Sequence, residues 1–499
     1  MSASSRPPRS PLDTAANPER LRRVVIEPVS RVEGHGKVTI LLDEHRKVHQ
    51  VRLHIVEFRG FERFILGRPY WEVPVMVQRL CGICPVGHHL AASKALDQVV
   101  GARALTPAAE RVRRLMHYGQ ILQSHALHFY HLASPDLLFG FESEPGRRNV
   151  VGVLAAHPDI ARQGILLRKF GQEIIRVTAG KRIHGTGSIP GGVNKAVTAA
   201  ERDALRGPLP EVLAWASAGV RLVAALHHAN RELYDTFGAV RSSLLSLVGR
   251  DGELDLYDGV LRARDADGAL IFDGAAPEQY EALLREDVRS WSYMKFPFIA
   301  ARGTEDGWYK VGPLARLQNC DRVGTPLAEA ARQELLASSP GGLIHAPLAF
   351  HWARMVELLH AAEVIERLLA DPQLLGDELV ASGPRQRSGV GILEAPRGTL
   401  IHHYEVDDDD LVTMCNLIVS TTHNNQAMNE SIREVARRFL DGHEPTEGLL
   451  NHIEVAIRAF DPCLSCATHA LGKMPLHVNL VGPSGELLER LTRDGERAE

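Results

Sequence analysis

Apolar and polar positions begin to alternate at Lys37. Val38, Ile40 and Leu42 fall on one side, the stretch Asp43 to Lys47 is polar and turn-forming, and Val51, Leu53 and Ile55 resume the period of two. This predicts a β-hairpin over residues 37–57. Further along, the period changes to that of a helix. Thr106 followed by Pro107 reads as an N-cap with proline in the first turn, and Val112, Leu115, Met116, Gly119, Leu122, Ala126 and Phe129 recur at steps of three and four as far as Ser134-Pro135. A long buried helix is predicted there. A second opens at Pro347, where Leu348, Trp352, Met355, Leu359, Ala362 and Leu369 share a face until Asp371-Pro372 closes the run. The Gly- and Pro-rich stretches 185–194 and 383–398 read as connectors, too short to separate independent domains.

Residues 1–22 are polar and rich in Pro, Ser and Arg, which predicts a flexible N-terminal arm. The acidic run Asp407 to Asp410 lacks the alternating ligands and central glycine of a calcium loop and reads as a solvated turn. Lys and Arg number 57 against 61 Asp and Glu, a net charge of −4 over 499 residues, which excludes nucleic-acid binding driven by bulk electrostatics. No stretch approaches the roughly eighteen consecutive apolar residues of a membrane span, and the N-terminus carries no secretory signal, so a cytoplasmic location is expected.

Cysteine usage changes the picture most. Of six cysteines, four form two C-x-x-C pairs, Cys81/Cys84 and Cys463/Cys466. That is too few for a disulfide scaffold and suits metal or redox chemistry in a reducing compartment. The pairs lie 382 residues apart, so a shared site must sit where the two ends of the chain meet. Zinc ribbons place their second pair a dozen or two residues on, so the spacing fits a small zinc unit poorly, although a four-thiolate zinc site stays open. Soft thiolates also suit nickel, iron and copper(I). Cys320 and Cys415 have no partner at ligand spacing and read as buried free thiols. His125, His128, His131 and the pair His402-His403 read as hydrogen-bonded interior histidines.

The sequence resembles the large subunit of nickel-iron hydrogenases, and among them the cytoplasmic, bidirectional, NAD-reducing type. The carriers are RVEGH from Arg31, RGFE from Arg59, RLCGICPVGHH from Arg79, SHALHFYHLASPD from Ser124, EAPRG from Glu394 and DPCLSCATH from Asp461, in family order across nearly the whole chain. The two cysteine motifs together are highly specific, whereas RGFE alone carries little.

The resemblance implies a mainly α fold, a long-helix bundle with a small N-terminal β portion. It implies one unit over 23–469 and a C-terminal extension over 470–499. It implies nickel held by Cys81, Cys84, Cys463 and Cys466, with Cys84 and Cys466 bridging to an iron that carries carbon monoxide and cyanide. Reversible heterolytic cleavage of H2 is the implied reaction, with the terminal thiolates Cys81 and Cys463 as candidate bases, Glu33 as the next proton carrier and Arg397 above the open metal position. Asp136 and Asp461 are expected to hold Arg397, His88 to hydrogen-bond a cysteine sulfur, and Thr421, or its neighbour Thr422, to donate to a diatomic ligand. Glu62, the carbonyl of Leu417 and His469 match a hard-metal site, usually magnesium.

Further expectations concern partners. An iron-sulfur small subunit and diaphorase subunits with FMN and NAD would carry the electrons, since no motif for those cofactors occurs here. Maturation proteins would include a nickel-dependent endopeptidase cutting between His469 and Ala470. Two alternatives stand beside this reading. One is a related cytoplasmic hydrogenase with another acceptor; the other is a non-catalytic scaffold subunit, as in the related quinone-reducing respiratory complex, with any four-cysteine site holding zinc.

Overall fold

The structure, a computed structural model, describes residues 21–289, 291–339 and 341–468, together with the backbone of two strands at Leu476–Val481 and Leu487–Arg493. Most of the arm expected over 1–22 lies outside the described residues; its last residue, Arg22, already opens a strand.

Strands β1 (Arg22–Ile26), β2 (Gly36–Leu42) and β3 (Val48–Ile55) form one antiparallel sheet. The predicted hairpin is β2–β3, in register with Val38 opposite Leu53 and Ile40 opposite Val51. Its alternating apolar residues are buried, because a period of two puts them all on the face toward the core. Strand β1 is mostly exposed and carries no such pattern.

Long helices follow, among them α1 (Pro85–Val99), α2 (Pro107–Leu127), α3 (Pro158–Ala179), α4 (Leu209–Ala229) and α5 (Ala349–Ala370). The Thr106 hydroxyl caps α2 by accepting from the Ala109 N–H at 3.3 Å. Ser134-Pro135 does not end the run as predicted. The chain widens into a π-helical stretch over His128–Ala133 and continues as α-helix over Ser134–Phe139, with Pro135 in a first turn where its missing N–H costs nothing. Helix α4 is long and apolar enough to cross a membrane, yet it turns Val212, Ala216, Val220 and Val223 into the core and packs on α5.

The β structure is not confined to the N-terminus. Strands β4 (Ser243–Val248), β5 (Val260–Arg264), β6 (Leu270–Ala275) and β7 (Tyr309–Lys310) form a mixed sheet in the order β7-β4-β5-β6. Strands β8 (Ser388–Ala395), β9 (Gly398–Val406) and β10 (Val412–Ile418) form an antiparallel meander. The stretch 383–398, read as a connector, is thus largely strand, and 185–194 contains a short ribbon, Ser188–Ile189 against Gly192–Val193. Gly389 and Gly391 belong to β8 for a packing reason. A Cβ at either would overlap the carbonyl oxygen of Ala95 or Ala91, so only glycine lets α1 lie flat on this strand. That contact brings the start of α1, at Cys84, against the turn between β8 and β9. Helices α6 (Asn425–Leu440) and α7 (Glu447–Ala459) then lead the chain back to the same place.

Candidate metal centre

The four cysteines of the two C-x-x-C pairs are buried, and their sulfurs all lie within 4.8 Å of one another. Among the described residues this is the only such cluster of potential metal ligands. Cys81 Sγ is 3.2 Å from Cys463 Sγ, Cys84 Sγ is 3.9 Å from Cys466 Sγ, and Cys463 and Cys466 are 2.6 Å apart. The N-terminal pair sits on the turn into α1, where the N–H groups of Ile83 and Cys84 donate to Cys81 Sγ at 3.2 and 3.3 Å. Burial opposes a charge on Cys81, but hydrogen bonds from the neighbouring thiols and the nearby Arg397 hold its pKa well below the ordinary thiol value. Cys463 and Cys466 are pushed well above theirs, chiefly by burial. The cluster accepts one negative charge readily and further ones at rising cost, and a soft cation offsets that cost.

The C-terminal pair is pinned by the N-terminal motif. Glu33 and Cys463 form a parallel β-bridge, and the Leu464 N–H donates to the Glu33 carbonyl at 2.9 Å. Gly34 makes this approach possible. Its φ is +81°, and a Cβ there would lie 2.6 Å from the Ser465 nitrogen. The Glu33 side chain turns toward the sulfurs: Cys463 Sγ donates to Oε2 at 2.9 Å, the Ser465 N–H does so at 3.3 Å, and the Ser465 hydroxyl makes a short bond to Oε1. Burial, then the charge on Cys81, raises the Glu33 pKa. The ion pairs that would have made Glu33 purely structural go elsewhere, Lys37 to Glu27 at 2.7 Å and Arg31 to Asp136 at 2.6 Å.

Arg397, in the turn between β8 and β9, is buried above the cluster. It donates from Nε to the Asp461 carbonyl at 2.6 Å and from Nη2 to Asp461 Oδ1 at 3.0 Å, while Nη1 has no partner among the described residues. Burial works against its charge, but Asp461 and the cysteines outweigh it and raise its pKa. Asp461 is itself in the left-handed region, φ +53°, so the residue before Pro462 is strained. Asp136 does not hold Arg397. Its Oδ1 takes Arg31 at 2.6 Å and its Oδ2 takes Arg458, in the last turn of α7, at 2.7 Å.

His88, on the first turns of α1, has Nδ1 3.1 Å from His402 Nε2. Thr421, not Thr422, reaches the C-terminal pair, accepting the Cys463 N–H at 2.9 Å. Glu62 and Leu417 meet through the Leu417 N–H, which donates to Glu62 Oε1 at 3.0 Å. His469 and Ala470 lie outside the described residues. The other histidines have ordinary partners: His125 binds Glu357 at 3.0 Å, His128 the Arg458 carbonyl at 2.7 Å and His403 the Tyr280 hydroxyl at 2.9 Å. Cys320 is buried alone, its pKa pushed up to about 12.

No motif assigns a role to several supporting residues. Gln120 and Gln123 on α2 donate to the Ile83 carbonyl at 2.9 and 2.8 Å, and Arg59 donates to the Leu80 carbonyl at 2.9 Å, so three side chains hold the Cys81–Cys84 turn. His184 reaches the Cys81 carbonyl at 3.0 Å. The two glutamines lie three residues apart on one helical face, which is legible, but what that face meets is not.

The donor set fits a soft metal ion. It also differs from a structural zinc site, which is closed by its ligands and needs neither a carboxyl group hydrogen-bonded to a ligand sulfur nor a guanidinium above it.

Comparison with known proteins is consistent along most of the chain. The family model for nickel-dependent hydrogenase matches residues 59–139 and 260–469, and a HoxL-like model matches 23–58. The chain is 46% identical over 489 residues, 95% of its length and all of the relative's, to the NAD-reducing hydrogenase HoxS subunit beta of Cupriavidus necator. It is 44% identical over 416 residues, 83% of its length and 99% of the relative's, to one chain of the vhu F420-non-reducing hydrogenase of Methanocaldococcus jannaschii. A crystal structure of an NAD+-reducing [NiFe]-hydrogenase in the H2-reduced state superposes with a TM-score of 0.89 at 60% identity, covering 90% of this chain and 99% of that one. A [NiFeSe]-hydrogenase from Dm. baculatum, 23% identical with a TM-score of 0.72 over 90% of this chain and all of that one, shares the fold.

Proposed function

Because the chain belongs to the nickel-dependent hydrogenase family, we propose that it is the hydrogen-activating large subunit of an NAD-reducing [NiFe] hydrogenase. Cys81, Cys84, Cys463 and Cys466 would hold nickel, with Cys84 and Cys466 shared with an iron that carries carbon monoxide and cyanide. The metals supply the Lewis acidity that splits H2 heterolytically against a base.

The chain's own residues do the rest. Cys463 Sγ is the base, and the observation that carries the reading is its hydrogen bond to Glu33 Oε2 at 2.9 Å, within reach for direct proton transfer. The Ser465 hydroxyl and N–H fix the Glu33 carboxyl against that sulfur. Arg397 keeps Nη1 without a partner among the described residues beside its bonds to Asp461, and this amino group would offer a charged donor to the cyanide. Thr421 accepts from the Cys463 N–H and keeps its own hydroxyl proton to donate. Glu62, the carbonyl of Leu417 and His469 would hold a magnesium ion.

Electrons leave to an iron-sulfur small subunit and then to diaphorase subunits with FMN and NAD, in the cytoplasm. Maturation proteins deliver the metals, and a nickel-dependent endopeptidase removes 470–499. The identity to an F420-non-reducing hydrogenase supports one competing acceptor assignment. Two measurements on the native complex decide. Infrared absorption in the window of metal-bound carbon monoxide and cyanide is expected, and zinc without such bands would overturn the centre. Hydrogen-dependent reduction of NAD+ is expected, and its absence in a complex active with an artificial dye would leave the centre and overturn the acceptor.

A further inference from the structure

Behind Asp461 lies a second guanidinium that the proposed reaction does not use. Arg354, on α5, is 0% exposed. Its donors reach the carbonyls of Phe350 at 3.3 Å and Ala459 at 3.1 Å and the His351 ring at 3.4 Å. Asp461 Oδ2 approaches its Nε to 4.0 Å, and both of those atoms lack a hydrogen-bond partner among the described residues. The other buried carboxylate beside it, that of Glu357, is taken by Arg316 at 2.6 Å. The flanking imidazoles of His128 and His351 stack 5.4 Å apart and stay neutral, since burial and then Arg354 depress their pKa values. Two guanidinium ions thus flank one carboxylate, Arg397 on Oδ1 and Arg354 on the side of Oδ2. Arg316 also pairs with Glu394 at 2.9 Å, so the buried guanidinium ions of Arg316, Arg354 and Arg397 face the three buried carboxylates Glu357, Glu394 and Asp461, and Arg354 draws its counter-charge chiefly from Asp461 and then Glu357.

Resting on the nickel-iron reading, we propose that Arg354 is a positioning residue for that centre. It orients the Asp461 carboxylate that aims Arg397, and it adds a second positive charge to the field around the thiolates. Hydrogen-bonded partners behind a metal site commonly act in this way.

The test uses the native multi-subunit holoenzyme carrying Arg354→Met or Arg354→Lys, with nickel and iron content, infrared bands, and kcat and KM for hydrogen as readouts. Arg354→Met is expected to retain both metals, to lose on the order of tenfold in kcat with KM little changed, and to shift the carbon monoxide band to lower wavenumber. The shift follows because removing a positive charge leaves more electron density for back-donation to the ligand. Arg354→Lys, which keeps the charge but not the planar fork, is expected to restore the band position while kcat stays below wild type. Metal-loaded Arg354→Met with wild-type bands and kcat would overturn the inference. If Arg354→Met does not load metal, Arg354→Lys decides, and wild-type kcat in that variant overturns the positioning role. A wild-type holoenzyme without such bands would instead remove the nickel-iron reading, and this inference with it.

Discussion

Asp136 and Asp461 show what a single residue can and cannot reveal about itself. Both are buried carboxylates in motifs that point to Arg397, but only Asp461 is there; Asp136 joins Arg31 and Arg458 instead. The two cysteine pairs were legible as candidate soft-metal ligands from residue type and spacing, whereas Glu33 and Arg397 entered only through the family resemblance. The partner of a carboxylate is set by three-dimensional neighbours that spacing does not encode. Ser465 is the clearest case, hidden between two cysteines and yet holding Glu33 by hydroxyl and N–H. Glu33→Gln keeps the size and the bond from Ser465 but cannot take a proton from Cys463. Hydrogen oxidation and hydrogen–deuterium exchange should fall by about a hundredfold with nickel content unchanged, and an exchange rate near wild type would remove Glu33 from the proton route.

At the scale of elements, period-two alternation located β2 and β3 and period-3.6 spacing located α2 and α5, because each buries one regular face. What stayed hidden was structure made by glycine. The run 383–398 reads as a loop, and only the closeness of α1 explains why a strand there carries Gly389 and Gly391. Gly34 is the corresponding device at the metal centre. Gly34→Ala places a methyl group 2.9 Å from Leu464 Cβ at a φ that disfavours side chains, so the C-terminal cysteine loop must shift. A stability loss of about 2 kcal/mol and a fall in retained nickel are expected, read by thermal unfolding and metal analysis.

Strand β7 offers a test of another kind. Lys310 is buried with its ammonium on the carbonyls of Val240 and His345 at 2.6 and 2.9 Å, and burial lowers its pKa from 10.5 to about 7. The unfolded chain therefore binds more protons than the folded one between those values. The Lys310 contribution to stability is complete above the unfolded pKa and is lost as pH falls toward about 7. Lys310→Met removes this dependence, so the wild type should gain on the variant as pH rises from about 7 to 10.5, and a pH-independent difference in Tm would refute the assignment.

For the whole molecule, the two ends of the chain share one site. A chain ending at Phe460 keeps the helices and both glutamines that hold the first pair, but only two of the four thiols. It is expected to fold in large part and to lose nickel on desalting, whereas the native protein retains it; tight retention by the short chain would show that the first pair alone suffices. Intact mass of the metal-loaded native subunit is expected to end at His469, and a loaded subunit still ending at Glu499 would contradict removal of the extension.

The distance of 382 residues between Cys81 and Cys463 is also an interval of time. At ribosomal speeds of about 5 to 20 residues per second, the first pair waits roughly 20 to 75 seconds for the second to be synthesised. Throughout that wait Cys81 and Cys84 are a bare dithiol on a nascent chain, open to oxidation and to capture by whatever soft cation arrives first. The yield of correctly loaded protein is thus expected to fall when reducing power is low or free zinc is high during translation, before any of the finished protein exists to be inspected.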